Sequence, residues 1–260
     1  MGEFLGRALV RYLEGRVRRY EPFGVTPPAV LQQVLQPGDV LLVEGNQRIS
    51  QAIKYLTQST WSHAALYVAD ALPLLAREGI HHQLIEADLA HGVVVVPLEK
   101  YATFNTRVCR PVNLDAADRQ RLVRFVTERI GMRYDLKNVI DLIRYLLPTP
   151  PVPTRWRRRM LALGSGDPTR AICSTLLAQA FQSIGYPILP EVEQVPAARG
   201  MPDYLRREIL HIRHYSLFTP RDFDVSPYFR IIKPTIESGF DYRRLRWAEE
   251  DGAPEIRSGR

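Results

Sequence analysis

Five strand-length runs fall between Val40 and Val112, and helical patterns take over only after them. This order constrains the fold more than any other feature of the chain. The first run, Val40 to Val43, follows a Pro37-Gly38-Asp39 turn; the second, His63 to Val68, is rich in small, aromatic and β-branched residues. HQLIEAD, GVVVVPL and TRVCRPV supply three more. One helix-like piece, ISQAIKYLTQ, interrupts them. Parallel neighbours would each need a crossover helix, whereas antiparallel ones need only short turns. The chain therefore reads as α+β, with an antiparallel sheet of four to six strands packed against later helices.

The helices carry their own punctuation. LDAADRQRLVRFVTERIG opens on Asp115 as N-cap, has Asp118 three residues on, and meets Gly131 past its end. NVIDLIRYLL is a second helix, stopped at Pro148. ICSTLLAQAFQSIG is a third, with Gly185 as terminator. Near the N-terminus, Leu5, Leu9, Tyr12 and Leu13 recur at helical spacing, which predicts an amphipathic helix over 4–20. The organisation expected is an N-terminal helix and connector over 1–30, one domain over 31–245 with a basic insertion at 148–170, and a mobile tail over 246–260.

Composition narrows the class. The chain has 260 residues, 45% hydrophobic and 24% charged, enough to bury a core. Its formal charge of +7 favours acidic partners such as anionic lipid. Two cysteines far apart do not make a disulfide scaffold, and they suit a reducing compartment. No run reaches the length of a spanning helix and no secretory signal is legible, so a cytoplasmic protein is expected, with peripheral membrane contact as an option. Neither G-x-G-x-x-G nor a Walker motif occurs, and no stacking or base-reading motif supports nucleic acid. His211 and His214 form H-x-x-H without a second ligand cluster, and His81, His82 and His91 fall in loops, so no metal and no other cofactor is expected.

Chemistry concentrates at three residues. Cys173 opens the third helix, where the helix dipole favours the thiolate and unpaired N–H groups suit an oxyanion. A buried packing residue would look the same in sequence. Cysteine nucleophiles need a base held by a third polar group. His63 opens a strand, followed by Ala64 and Ala65, and Glu86 lies in LIEAD on a strand that can pair with it. That carboxylate is expected to accept the imidazole Nδ1–H. Cys109, between two arginines in mid-strand, reads as structural.

Taken in order, PGDVLLVEG, WSHAALYV, LIEA, GMRYD and ICSTLLAQAF resemble the NlpC-type papain-like cysteine hydrolases in their circularly permuted, YiiX/YebB-like (lipo-like) branch. The histidine strand precedes the cysteine helix, as in that branch. LFTPRDFDVSPYFRIIKP also resembles the family's ending. The resemblance spans roughly residues 35 to 233 and implies a permuted papain-like fold. It implies Cys173 as nucleophile, His63 as general base and Glu86 as orienting acid, cleaving an amide or ester through a thioacyl enzyme without a cofactor. Tyr67, in phase with His63 by alternation, and Ser62 and Ser174, beside the pair in sequence, are candidates for substrate binding; packing is an equal role for Tyr67. The substrate is a small-molecule amide, a peptide or a lipid. A lipid-directed acyltransferase or thioesterase, or a non-catalytic ligand- or membrane-binding protein, would share the fold. Arg155, Trp156, Arg157, Arg158 and Arg159 in the insertion suit either an anionic bilayer or a solvated loop.

Overall fold

The computed structural model describes residues 12–16, 20–88, 90–133, 172–195, 207–211 and 213–246. The helix expected over NVIDLIRYLL, the insertion at 148–170 and almost all of the C-terminal tail lie outside these.

Six strands form one antiparallel sheet in the order β4-β3-β2-β1-β5-β8. They are β1 (Val40–Val43), β2 (His63–Ala69), β3 (Gln83–Asp88), β4 (Gly92–Pro97), β5 (Thr106–Pro111) and β8 (Phe229–Ile232). The five strands expected from the sequence are all present. Two further strands, β6 (Glu191–Val195) and β7 (Arg207–His211), pair antiparallel in a separate two-stranded sheet. The helices are α1 (Pro28–Val34), α2 (Arg48–Thr57), α3 (Pro73–Arg77), α4 (Ala116–Thr127), α5 (Ile172–Ser183), α6 (Pro220–Asp224) and α7 (Pro234–Glu237).

Alternation along the strands sends side chains into two apolar layers, so the sheet is covered on both faces. Ala64, Leu66, Val68, Ile85 and Ala87 pack with α4 and α5, through Leu122, Val126, Leu176, Leu177 and Phe181. Leu41, Val43, Ala65, Tyr67 and Leu84 face the other way, onto Leu31 of α1 and onto Leu98 and Tyr101 of a short 3-10 turn. α5 is held by aromatics: the Phe181 ring centroid lies 5.2 Å from Phe229 and 6.1 Å from Phe223. Asp115 caps α4 as expected, accepting from the Asp118 N–H at 2.7 Å. Thr219 and Asp222 form a capping box at α6.

The N-terminal helix expected over 4–20 ends early. Residues 12 and 13 are helical, but Gly15 has left the helix and Arg16 bridges Gln47. The Gly15 carbonyl is captured by the Arg48 N–H at 3.0 Å, so tertiary pairing outbids helix propensity. The connector is likewise stitched down, Val25 bridging Asn105.

One ion pair ties the turn before β1 to β5. Asp39 is buried, and Arg110 donates to both its oxygens, at 2.8 and 2.7 Å. Replacing Arg110 with Met strands that carboxylate in the interior. Stability is expected to fall by about 3–5 kcal/mol, measurable as a lowered urea midpoint with an unchanged slope.

Candidate active site

β2 begins at His63, opposite Val43 of β1, so the imidazole stands at the end of the sheet. The approach to it is rigid. The Ser62 N–H donates to the Val43 carbonyl at 3.1 Å, and the Gly45 N–H donates to the Ser62 hydroxyl at 2.9 Å. A side chain at Gly45 would press on the Ser50 and Ser62 hydroxyls, which explains glycine there. Trp61 is anchored by its indole N–H to Asp224 at 3.0 Å, and Asp224 also pairs with Arg107 at 2.6 Å.

Glu86 sits in β3, next to β2, and is 1% exposed. One of its oxygens, Oε2, lies 3.1 Å from His63 Nε2 and also accepts from the Tyr101 hydroxyl. The other, Oε1, accepts from Lys100 Nζ. The histidine nitrogen engaged is Nε2, where the sequence reading expected Nδ1. Nδ1 is thereby left for another partner.

A neighbour comes from α5. Cys173, in the first turn of the helix and 4% exposed, is close enough to act on His63 by charge and by side-chain hydrogen bonding. α5 packs over β2 and β3, which carries its first turn to the end of β2. Cys173, His63 and Glu86, 110 residues apart at the extremes, therefore meet at one place.

Protonation follows from this geometry. Burial pushes the His63 proton off, but the negative charge of Cys173, then that of Glu86, overcomes it and raises the imidazole to about 10. Burial pushes the Glu86 carboxyl up, yet His63 and then Lys100 hold it down at about 2. Tyr101 is raised well above its usual value by burial and by Glu86, and stays a hydrogen-bond donor. Burial likewise raises the Cys109 thiol, which lies inside the first core layer.

Tyr67 is buried in the second layer, with its hydroxyl 2.8 Å from His82 Nδ1. Ser62 and Ser174 are buried as well; Ser174 donates to the Phe218 carbonyl at 2.9 Å and ties α5 to the segment after it. His81 pairs with Asp70, His91 with Asp88, and His214 lies 2.7 Å from the Ser216 hydroxyl. Among the described residues no group of three or more His, Cys, Asp or Glu could hold a metal ion. No described helix is long and apolar enough to cross a membrane.

Sequence reasoning missed Lys100 and Tyr101. The available signal was indirect: a carboxylate on an interior strand needs a cation, and LEKY follows the strand that pairs with it.

Residues 34–144 match the family model described as permuted papain-like amidase enzyme, YaeF/YiiX, C92 family. The matched span carries His63 and Glu86 and ends before Cys173. Among solved structures, the crystal structure of metalloprotein YiiX from Escherichia coli O157:H7 is 15% identical, with a TM-score of 0.44, covering 76% of this chain and 96% of that one. No curated protein matches.

The two shifts make opposite demands on stability. His63, raised, adds stability in full below about pH 6.5 and loses it as pH climbs to about 10. Glu86, lowered, adds stability above its ordinary range near 4.5 and loses it as pH falls toward about 2. Urea midpoints of the wild type should therefore decline from neutral to alkaline pH more steeply than those of His63→Ala.

Proposed function

We propose that this chain, whose residues 34–144 match the model of the permuted papain-like amidase enzymes, YaeF/YiiX, C92 family, is an amidase of that kind and cleaves its amide through a thioacyl intermediate on Cys173. The observation that carries the reading is the meeting of Cys173, His63 and the buried Glu86 at the first turn of α5. The hydrolase unit in this reading spans 31–245.

The steps follow from the placement of the groups. Glu86 holds the imidazole through Nε2–H, so Nδ1 serves the sulfur. The Cys173 thiolate attacks the carbonyl carbon; a C–S bond forms and negative charge moves to the carbonyl oxygen. N–H groups in the first turn of a helix lack intrahelical partners and can receive that charge. The imidazolium gives its Nδ1 proton to the amine nitrogen as the C–N bond breaks. Water then loses a proton to His63 and adds its oxygen to the thioester, and the thiolate departs with its electron pair. Glu86 remains a carboxylate throughout, stabilising the imidazolium and fixing the ring.

The amide class is tested by a panel of N-acyl amino acids, short peptides and acyl lipids. Acid-quenched reactions of a substrate are expected to show an acyl mass on the tryptic peptide containing Cys173. Cys173→Ala abolishes both the adduct and turnover, and His63→Ala lowers kcat by about 10²–10⁴-fold. Turnover that survives in Cys173→Ala would refute the nucleophile. Release of the acyl group only when an amine or alcohol is supplied would point to transfer in place of hydrolysis.

A further inference from the structure

The 3-10 turn after β4 is built so that two consecutive side chains converge on one carboxylate. Leu98 is fully buried and its N–H donates to the His82 carbonyl at 3.2 Å. Glu99 points to α1, accepting from Gln32 at 3.1 Å. In a 3-10 turn, residues three apart eclipse, so Tyr101 follows Leu98 into the second layer. Lys100 reaches Glu86 from the flank, with its ammonium 5.5 Å from the Tyr101 ring centroid. The tyrosine ring is tilted beside His63, centroids 6.2 Å apart. Lys100 is 42% exposed, whereas the carboxylate it binds is 1% exposed.

We propose that Lys100 is a positioning residue of the site. Its ammonium balances the buried Glu86 carboxylate, so that Glu86 stays ionised and keeps His63 as the imidazolium partner of Cys173, while Tyr101 fixes the carboxylate's orientation. The proposal rests on the cysteine-amidase reading above. Its basis is charge alternation. From α5 comes Cys173, the thiolate of the proposed mechanism; from β2 the His63 imidazolium, from β3 the Glu86 carboxylate, and from the 3-10 turn the Lys100 ammonium and the neutral Tyr101 hydroxyl. Asp88, at the end of β3, adds a weaker negative field at Tyr101. The four charges sum to zero in the order negative, positive, negative, positive. Without the ammonium, a net negative charge is left in a place with little access to water. Protonation is the least costly relief, at Glu86 or at the sulfur. Either one dissolves the thiolate–imidazolium pair.

The test is the rate of Cys173 alkylation by iodoacetamide in the full chain, read by peptide mass from about pH 4 to 8. Wild type is compared with Lys100→Met, Lys100→Gln, Lys100→Arg, Glu86→Gln and the double variant Glu86→Gln/Lys100→Met, each checked for folding by circular dichroism. Lys100→Met and Lys100→Gln are expected to move the acid limb up by about one pH unit, making alkylation near pH 5 about tenfold slower. Lys100→Arg returns it to within about twofold, since the charge is kept. In the Glu86→Gln background the Lys100→Met change moves the limb no further, because the lysine acts through that carboxylate. A Lys100→Met profile that superimposes on the wild type overturns the proposal and leaves the nucleophile standing. So does a shift that persists undiminished without Glu86. A wild-type Cys173 that reacts only as an ordinary thiol, with its limb near about pH 8.5, defeats the amidase reading and this proposal together.

Discussion

Glu86 places the strictest demand on the structure. A carboxylate this deeply buried stays ionised only if its surroundings replace the water it has lost. The fold meets that demand from three directions: a histidine from the neighbouring strand, a tyrosine from beneath, and a lysine from the rim. Each contact also restrains the group that makes it. The histidine ring is turned, the 3-10 turn is pinned against the sheet, and the end of β2 is closed on one side. An ionic requirement at one atom pair thus becomes a geometric requirement on the surrounding elements.

The sheet serves the same arrangement by being covered on both faces. Residues of β2 that alternate toward α5 hold the helix down, and those that alternate the other way meet Leu98 and Tyr101. The helix and the 3-10 turn therefore approach His63 from different elements without competing for the same surface. Apolar packing supplies the platform; it is non-directional and could not by itself orient an imidazole. Orientation comes from the hydrogen bonds at the strand's end, where Ser62, Gly45 and Trp61 leave the backbone little freedom.

The sheet was legible in the sequence because each strand of its first part is a local signal, an apolar run bounded by turn residues. His63, Glu86 and Cys173 stood out as candidates, and the family resemblance joined them. Lys100 and Tyr101 were not, because their role depends on a turn that folds back across a strand pair, which no periodicity announces. β8 was missed for a related reason: FRII is too short to stand out, and it becomes a strand only through its partner β5. The N-terminal helix departs from the reading in the opposite way, at Gly15 and Arg16. Its apolar spacing was regular, but Gly15 and Arg16 find better partners in Arg48 and Gln47 than the helix offers them. Histidine orientation could not be read at all, since Nδ1 and Nε2 are equivalent in a one-letter code.

The order of the elements along the chain has a consequence in time. His63 and Glu86 belong to the first part of the sheet, while Cys173 lies far downstream and β8 further still. As the chain leaves the ribosome, His63 and Glu86 emerge well before Cys173 does. The sulfur gains its partner only when α5 docks across a sequence separation large enough to make that docking a late, costly closure. On the proposed mechanism, partly made or partly unfolded copies are therefore latent. The fold brings Cys173 to His63 only when nearly all of the domain exists, and so, on the proposed mechanism, the unfinished chain is protected from its own chemistry.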